Sequence, residues 1–229
     1  MTKNKTKNIQ KVNQINYKKN ELDLAKNMVV NIPKNFFKNK TKNKKKDIFN
    51  NKLSEKRELE QYFWTSKTVK DLLKACEYIS NTCCFTTPSL AHGFFKNGRN
   101  EKLLDIDTRF TYLPRFEKFD IKNPHSINEK FNIIVIDPPF FNISTQELLE
   151  ATNYITNCNY KTNIIIAYLV RFEYALLEIF KQYGISETNL TPEYAHIKSN
   201  KWTNFKIYSN IDLPNLKRIP GKYGYKGRY

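Results

Sequence analysis

Six residues, Phe131-Asn132-Ile133-Ile134-Val135-Ile136, form a dense apolar run that stops at Asp137 and is followed by Pro138, Pro139 and Phe140. A run rich in β-branched residues reads as a strand buried on both faces of a parallel sheet. The two prolines cannot continue a ladder and predict a rigid turn at the carboxyl end of that strand. Asn163 to Val170 has the same character and predicts another buried strand, while the segment from Asn81 predicts a strand ending in the Pro88 turn, and Lys102 to Asp107 and Arg115 to Asp120 predict shorter ones. Helical spacing lies between them. Val69, Leu72, Leu73 and Cys76 form one stripe behind Ser66. Ser89 is placed to cap a short helix after Pro88. Ser144, with Glu147 three residues later, opens a helix carrying Leu148, Leu149, Ala151, Thr152 and Ile155. A further helix over Phe172 to Tyr183 is ended by Gly184. Ile185 to Leu190 and Asn204 to Asn210 suit two final strands, paired antiparallel at the sheet edge. Strands alternating with helices predict an α/β fold with a doubly wound, mostly parallel sheet.

Composition divides the chain. Residues 1–57 carry 17 Lys+Arg against 4 Asp+Glu, and residues 58–229 carry 22 against 18, so most of the net charge of +17 is in the leader. That Lys/Asn-rich leader has little to bury and is expected to be disordered. The folded domain is expected over 58–213 and a basic tail over 214–229. Basic tails can contact RNA, ribosomes or an import receptor; A-rich codon usage gives the same composition with no partner implied. No run approaches the ~20 apolar residues of a membrane span, and the expected compartment is cytoplasm, with the nucleus second. Cys76, Cys83, Cys84 and Cys158 have no paired C-x-x-C spacing, and His92, His125 and His196 have no metal spacing, so no metal site is expected.

The chemistry concentrates at strand ends, where ligands bind in open α/β sheets. The Asp137 carboxylate and the Pro138 carbonyl can both accept from one amino group, because the proline turn is rich in acceptors, and Phe140 can stack on a flat base or an alkyl stem. The chain has no G-x-G-x-x-G. In its place Thr87-Pro88-Ser89 opens a helix whose N–H groups can face a ligand. Asp105 and Asp107 alternate with Ile106 and are expected on one face, where a carboxylate can accept both ribose hydroxyls of a nucleoside cofactor. Asp120 ends the next strand, within reach of an adenine amino group. The plain alternative for each acid is a solvated strand end.

Asp137-Pro138-Pro139-Phe140 resembles the Asp-Pro-Pro-Phe/Tyr motif of amino-group methyltransferases, and the fold resembles that of class I methyltransferases. Gln61-Tyr62-Phe63-Trp64-Thr65-Ser66, Thr87-Pro88-Ser89, Asp107-x-Arg109-Phe110, Phe119-Asp120-x-x-Asn123-Pro124 and Asn204-Phe205-Lys206-Ile207-Tyr208-Ser209-Asn210 occur in the order seen in the N6-adenine methyltransferase-like family. Over about residues 58–213 the chain is similar to that family. It includes translation elongation factor 1-alpha lysine methyltransferases and a zinc-finger branch that methylates adenine in ribosomal RNA.

The resemblance implies S-adenosylmethionine as cofactor. It implies Asp137, Pro138, Pro139 and Phe140 as the catalytic turn, and Thr87, Pro88, Ser89, Asp105, Asp107 and Asp120 as cofactor contacts. Trp64, Phe141 and Asn142 are assigned to the substrate side. The FDxxNP segment and the Phe-Trp-x-Ser entry are similar to the lysine branch; the Leu103 to Asp107 strand and the basic tails are similar to the RNA branch. The expectation is a protein-lysine N-methyltransferase acting on elongation factor 1-alpha. The alternative is adenine N6 in rRNA, and an inactive RNA-binding scaffold is a third reading.

Overall fold

A computed structural model describes residues 48–49 and 52–221; most of the expected leader, and residues 222–229 of the expected tail, lie outside the described residues. Seven strands form one sheet in the order β3-β2-β1-β4-β5-β7-β6. They are β1 (Thr82–Phe85), β2 (Lys102–Asp105), β3 (Phe116–Lys118), β4 (Ile133–Ile136), β5 (Asn163–Leu169), β6 (Ser186–Glu187) and β7 (Phe205–Ser209). The first five are parallel, and β7 runs antiparallel to both β5 and β6. This is the doubly wound, mostly parallel sheet with an antiparallel edge that the class I methyltransferase resemblance implies.

The four β4 residues are all buried, as two-sided burial of an IIVI run requires. Four helices flank the sheet: α1 (Ser66–Ala75), α2 (Pro88–Lys96), α3 (Thr145–Thr156) and α4 (Glu173–Ile179). Their starts follow local chemistry. Thr65 caps α1 by accepting from the Thr68 N–H, and Ser144 and Glu147 form a complete capping box on α3.

Three elements differ from expectation. Ser89 is inside α2, whose cap is Thr87, and the Ser89 Oγ accepts from the Trp64 N–H at 3.3 Å. The single helix expected over Phe172 to Tyr183 is α4 flanked by 3-10 turns at Val170–Phe172 and Lys181–Tyr183, with Gly184 at φ 66° ending it. Tyr183 is drawn out of helical register by its hydroxyl, which bonds Thr156 and Asn153 on α3 at 2.8 and 2.9 Å. The packed chain also runs past the expected bounds of 58 and 213. Phe49 is buried against Phe63 and Phe110, and residues 217–219 pair along the outer edge of β6, with Ile219 N–H donating to Glu187. Both extensions cover surface that would otherwise be an apolar face or an unpaired edge.

Candidate active site

β1 and β4 are neighbours in space but not in sequence, so connections leave the sheet in opposite directions between them and open a crevice at their carboxyl ends. The cleft there is lined by Thr86 and Pro88 after β1, Asp105 and Ile106 at the end of β2, and Asp137 to Phe140 after β4. Leu59 to Tyr62 cross it as a strap.

The β1 corner answers the missing glycine loop. Thr86 takes φ 56°, a left-handed conformation unusual for a β-branched residue, and its hydroxyl donates to the Phe85 carbonyl at 2.6 Å. Strain of this kind persists where the surrounding structure imposes it, commonly at functional sites.

Asp137 continues the β4 ladder by one bond, its N–H donating to Phe85 at 3.4 Å, before the prolines end the strand. Its Oδ1 accepts from the Tyr194 hydroxyl at 2.8 Å. Burial pushes the Asp137 carboxyl well above the usual carboxylate range, and the Tyr194 bond opposes that shift. Tyr194 arrives through a short antiparallel pairing. Thr65 N–H donates to Glu193 and Ala195 N–H to Phe63, both at 2.9 Å, and the Trp202 indole donates to the Tyr194 carbonyl at 3.1 Å. Phe140 is only 4% exposed and lies in an aromatic cluster with Tyr62, Tyr168, Tyr194 and Phe205. Its ring is therefore part of the cleft wall, and the more exposed Tyr62 stacked on it is the nearer surface for a ligand.

The two acids after β2 have separate environments. Asp105 faces the cleft, is 6% exposed, and accepts from the Asp107 N–H at 2.8 Å; burial raises its carboxyl to about 7. Asp107 turns away. It receives Arg109 at 2.7 to 3.1 Å, Lys56 at 3.1 Å and Gln61 at 3.1 Å; burial pushes it up, but these donors outweigh burial and hold it below its usual range. The strap is thus tied to the β2 end through Asp107. It is tied to the β4 end through Glu60, whose Oε2 accepts the Phe141 and Asn142 N–H groups at 2.9 and 3.1 Å.

Of the expected cofactor contacts, the structure brings Pro88 and Asp105 to the cleft. Thr87 and Ser89 are buried beside it, Asp107 serves the strap, and Asp120 accepts from the Lys122 N–H in a local turn. On the expected substrate side, Trp64 is 1% exposed in the core, whereas Phe141 and Asn142 follow the Asp-Pro-Pro-Phe turn, Phe141 beneath the Arg171 guanidinium at 4.9 Å. Thr86, Leu59, Glu60, Ile106 and Tyr194 are site residues with no counterpart among the sequence expectations, while Gln61 and Tyr62 of the strap fall within the family-like Gln61-Tyr62-Phe63-Trp64 segment without an assigned site role. Leu59, Glu60 and Ile106 carry no motif of their own, and Tyr194 lies in a proline-containing loop without periodicity, where a lone aromatic gives no signal.

The donor set suits a nucleoside bearing a cation. The inward Asp105 carboxyl keeps acceptor positions for a ribose diol, Ile106 and Tyr62 offer apolar surface, and among the described residues no Lys or Arg lines the cleft. Among the described residues no group of His, Cys, Asp or Glu is arranged to hold a metal ion, and no helix is long and apolar enough to cross a membrane.

A cofactor crevice at the β1/β4 switch point, with an Asp-Pro-Pro-Phe turn at its side, defines a methyltransferase that uses S-adenosylmethionine. The chain belongs to the family described as Probable N6-adenine methyltransferase, whose model matches residues 55–213. No curated protein matches it. Among solved structures it is similar to a protein from Pyrococcus horikoshii, provisionally assigned as an RNA methyltransferase (16% identity, 73% of this chain and 94% of that one, TM-score 0.46). It is also similar to the N-methyltransferase NodS from Bradyrhizobium japonicum, solved with S-adenosyl-L-homocysteine (12%, 63% and 84%, 0.41), and to a TehB-like methyltransferase from Corynebacterium glutamicum (11%, 68% and 90%, 0.43).

Proposed function

We propose that the protein is an N-methyltransferase whose acceptor is the side-chain amine of a protein lysine, with translation elongation factor 1-alpha the first substrate to test. The observation that carries this reading is the lining of the cleft: among the described residues Glu60, Asp105 and Asp137 line it and no Lys or Arg does. Burial raises the Asp105 and Asp137 carboxyls, so the lining acts less through net charge than by offering oxygens that accept from an amine N–H.

Bound S-adenosylmethionine supplies an electrophilic methyl group on a sulfonium. Asp105 would hold its ribose, and Thr86, Ile106 and Tyr62 would form the rest of the pocket. A lysine amine, with an ordinary pKa near ~10.4, must lose a proton before it attacks. A buried carboxylate whose own pKa is raised is a better base for that proton, and Asp137 has this character. The Pro138 carbonyl, left free by the proline turn, can accept from the same nitrogen and aim it. The strap would exclude water, so orientation and desolvation supply most of the acceleration.

A second reading, adenine N6 in RNA, is favoured by the family's description and by the net charge of +17. Labelled-methyl transfer to purified elongation factor 1-alpha and to ribosomal RNA, run side by side with an Asp137→Ala control, separates the two. Label on the protein that disappears in the control is the expected result. Label on RNA alone would replace the lysine reading with the adenine one, and label retained by Asp137→Ala would remove the turn from catalysis.

A further inference from the structure

The Asp137 carboxyl accepts a hydrogen bond from the Tyr194 hydroxyl, which belongs to an element 57 residues away in sequence. The Tyr194 ring is fully buried, packed 4.7 Å from Phe205 and 6.3 Å from Tyr62 between ring centroids, and its backbone is held on both sides by the pairing with Phe63 and Thr65. The phenol therefore cannot follow Asp137 if the carboxylate turns.

We infer that Tyr194 is the positioning residue of the amine site: its hydroxyl occupies Oδ1 of Asp137 and so presents Oδ2 to the acceptor nitrogen. This rests on the reading of Asp137 as the group that receives the amine.

A carboxylate bonded at one oxygen is fixed about its last torsion, and the free oxygen then has one direction. Without the phenol, the group could rotate by the broad, two-fold freedom of an sp³–sp² bond. In the deprotonation step, the ammonium N–H bond breaks, its proton forms an O–H bond at Oδ2, and the nitrogen keeps the electron pair. Tyr194 does not exchange its proton in this sequence; its O–H stabilises the carboxylate before the transfer and is retained after it.

Tyr194 bonds Asp137 directly, and Tyr62 and Glu60 of the strap and Asp105 at the end of β2 line the same cleft; among these described groups none is a cation. Tyr194→Phe deletes the hydroxyl and keeps the ring. Carboxyl ¹³C titration of aspartate-labelled protein should show the Asp137 midpoint moving to higher pH by about one unit, the direction expected when a bond to the charged form is lost. The acid limb of kcat/KM should move the same way, with kcat reduced about tenfold and cofactor affinity unchanged. Phe205→Leu perturbs the same cluster but keeps the hydroxyl. It should lower Tm and leave the midpoint in place. A Tyr194→Phe midpoint and pH profile both equal to wild type would overturn the inference and leave Tyr194 a packing residue. The titration needs no turnover. It therefore reports on Tyr194 even if Asp137→Ala retains transfer, an outcome that would instead overturn the functional reading.

Discussion

Asp105 and Asp107 are two residues apart and have opposite chemistry. Buried Asp105 is raised to about 7, while Asp107 is held low once its donors outweigh burial. The signs of their stability contributions differ accordingly. Asp105 titrates near ~3.9 when unfolded, so the unfolded chain gives up its proton first and stability falls as pH rises from about 4 to 7, then levels off. Asp105→Asn should flatten that slope in Tm measured against pH, and should weaken binding of the cofactor at the same time. Asp107 contributes stability that is fully present above about pH 4 and is lost as pH falls through its lower folded value. Asp107→Asn should cost about 2–3 kcal/mol in denaturant titration at pH 7, less than the ~3–5 of a fully buried pair because Lys56 and Arg109 remain partly exposed. Alternation suggested that both acids share a face. It fails because β2 ends at Asp105, and Asp107 is already the cap of a 3-10 turn at Thr108–Phe110. Asp137 was legible because its turn is written in adjacent residues; Tyr194 was not, because only tertiary pairing brings it there.

At the scale of elements, the strap and the α1/α2 contact set the shape of the cleft. Gly93 of α2 lies against α1, where an added Cβ would meet Val69 Cγ1 at 2.6 Å and Leu73 Cδ1 at 3.3 Å. Alanine gains about 1 kcal/mol of helix propensity, but Val69 is short and branched and has no room to withdraw. Gly93→Ala should therefore be destabilising overall, by about 1–2 kcal/mol in chemical denaturation; a stabilised variant would mean that the two helices separate freely. Glu60 fastens the strap to the loop after the catalytic turn, so Glu60→Gln should weaken cofactor binding severalfold in calorimetry with little change in Tm. The periodic helices, the capping box and the order of parallel strands followed from local pattern. The strap did not, because its residues have no period of their own and are ordered by Asp107 and by the Phe141 and Asn142 N–H groups.

Across the whole molecule, the chain is basic at +17, while among the described residues its cleft is lined by three carboxyl groups and no Lys or Arg. Of the net charge of +17, +13 belongs to the first 57 positions, most of which precede the family's matched region at 55–213. The most direct test of the central claim is to identify the methylated atom itself. After reaction with labelled S-adenosylmethionine and a mixture of elongation factor 1-alpha and ribosomal RNA, complete hydrolysis and chromatography of the products should yield label in methyl-lysine, lost with Asp137→Ala. Label recovered as N6-methyladenosine, with none in lysine, would contradict the account and make the acidic cleft a feature of cofactor binding alone.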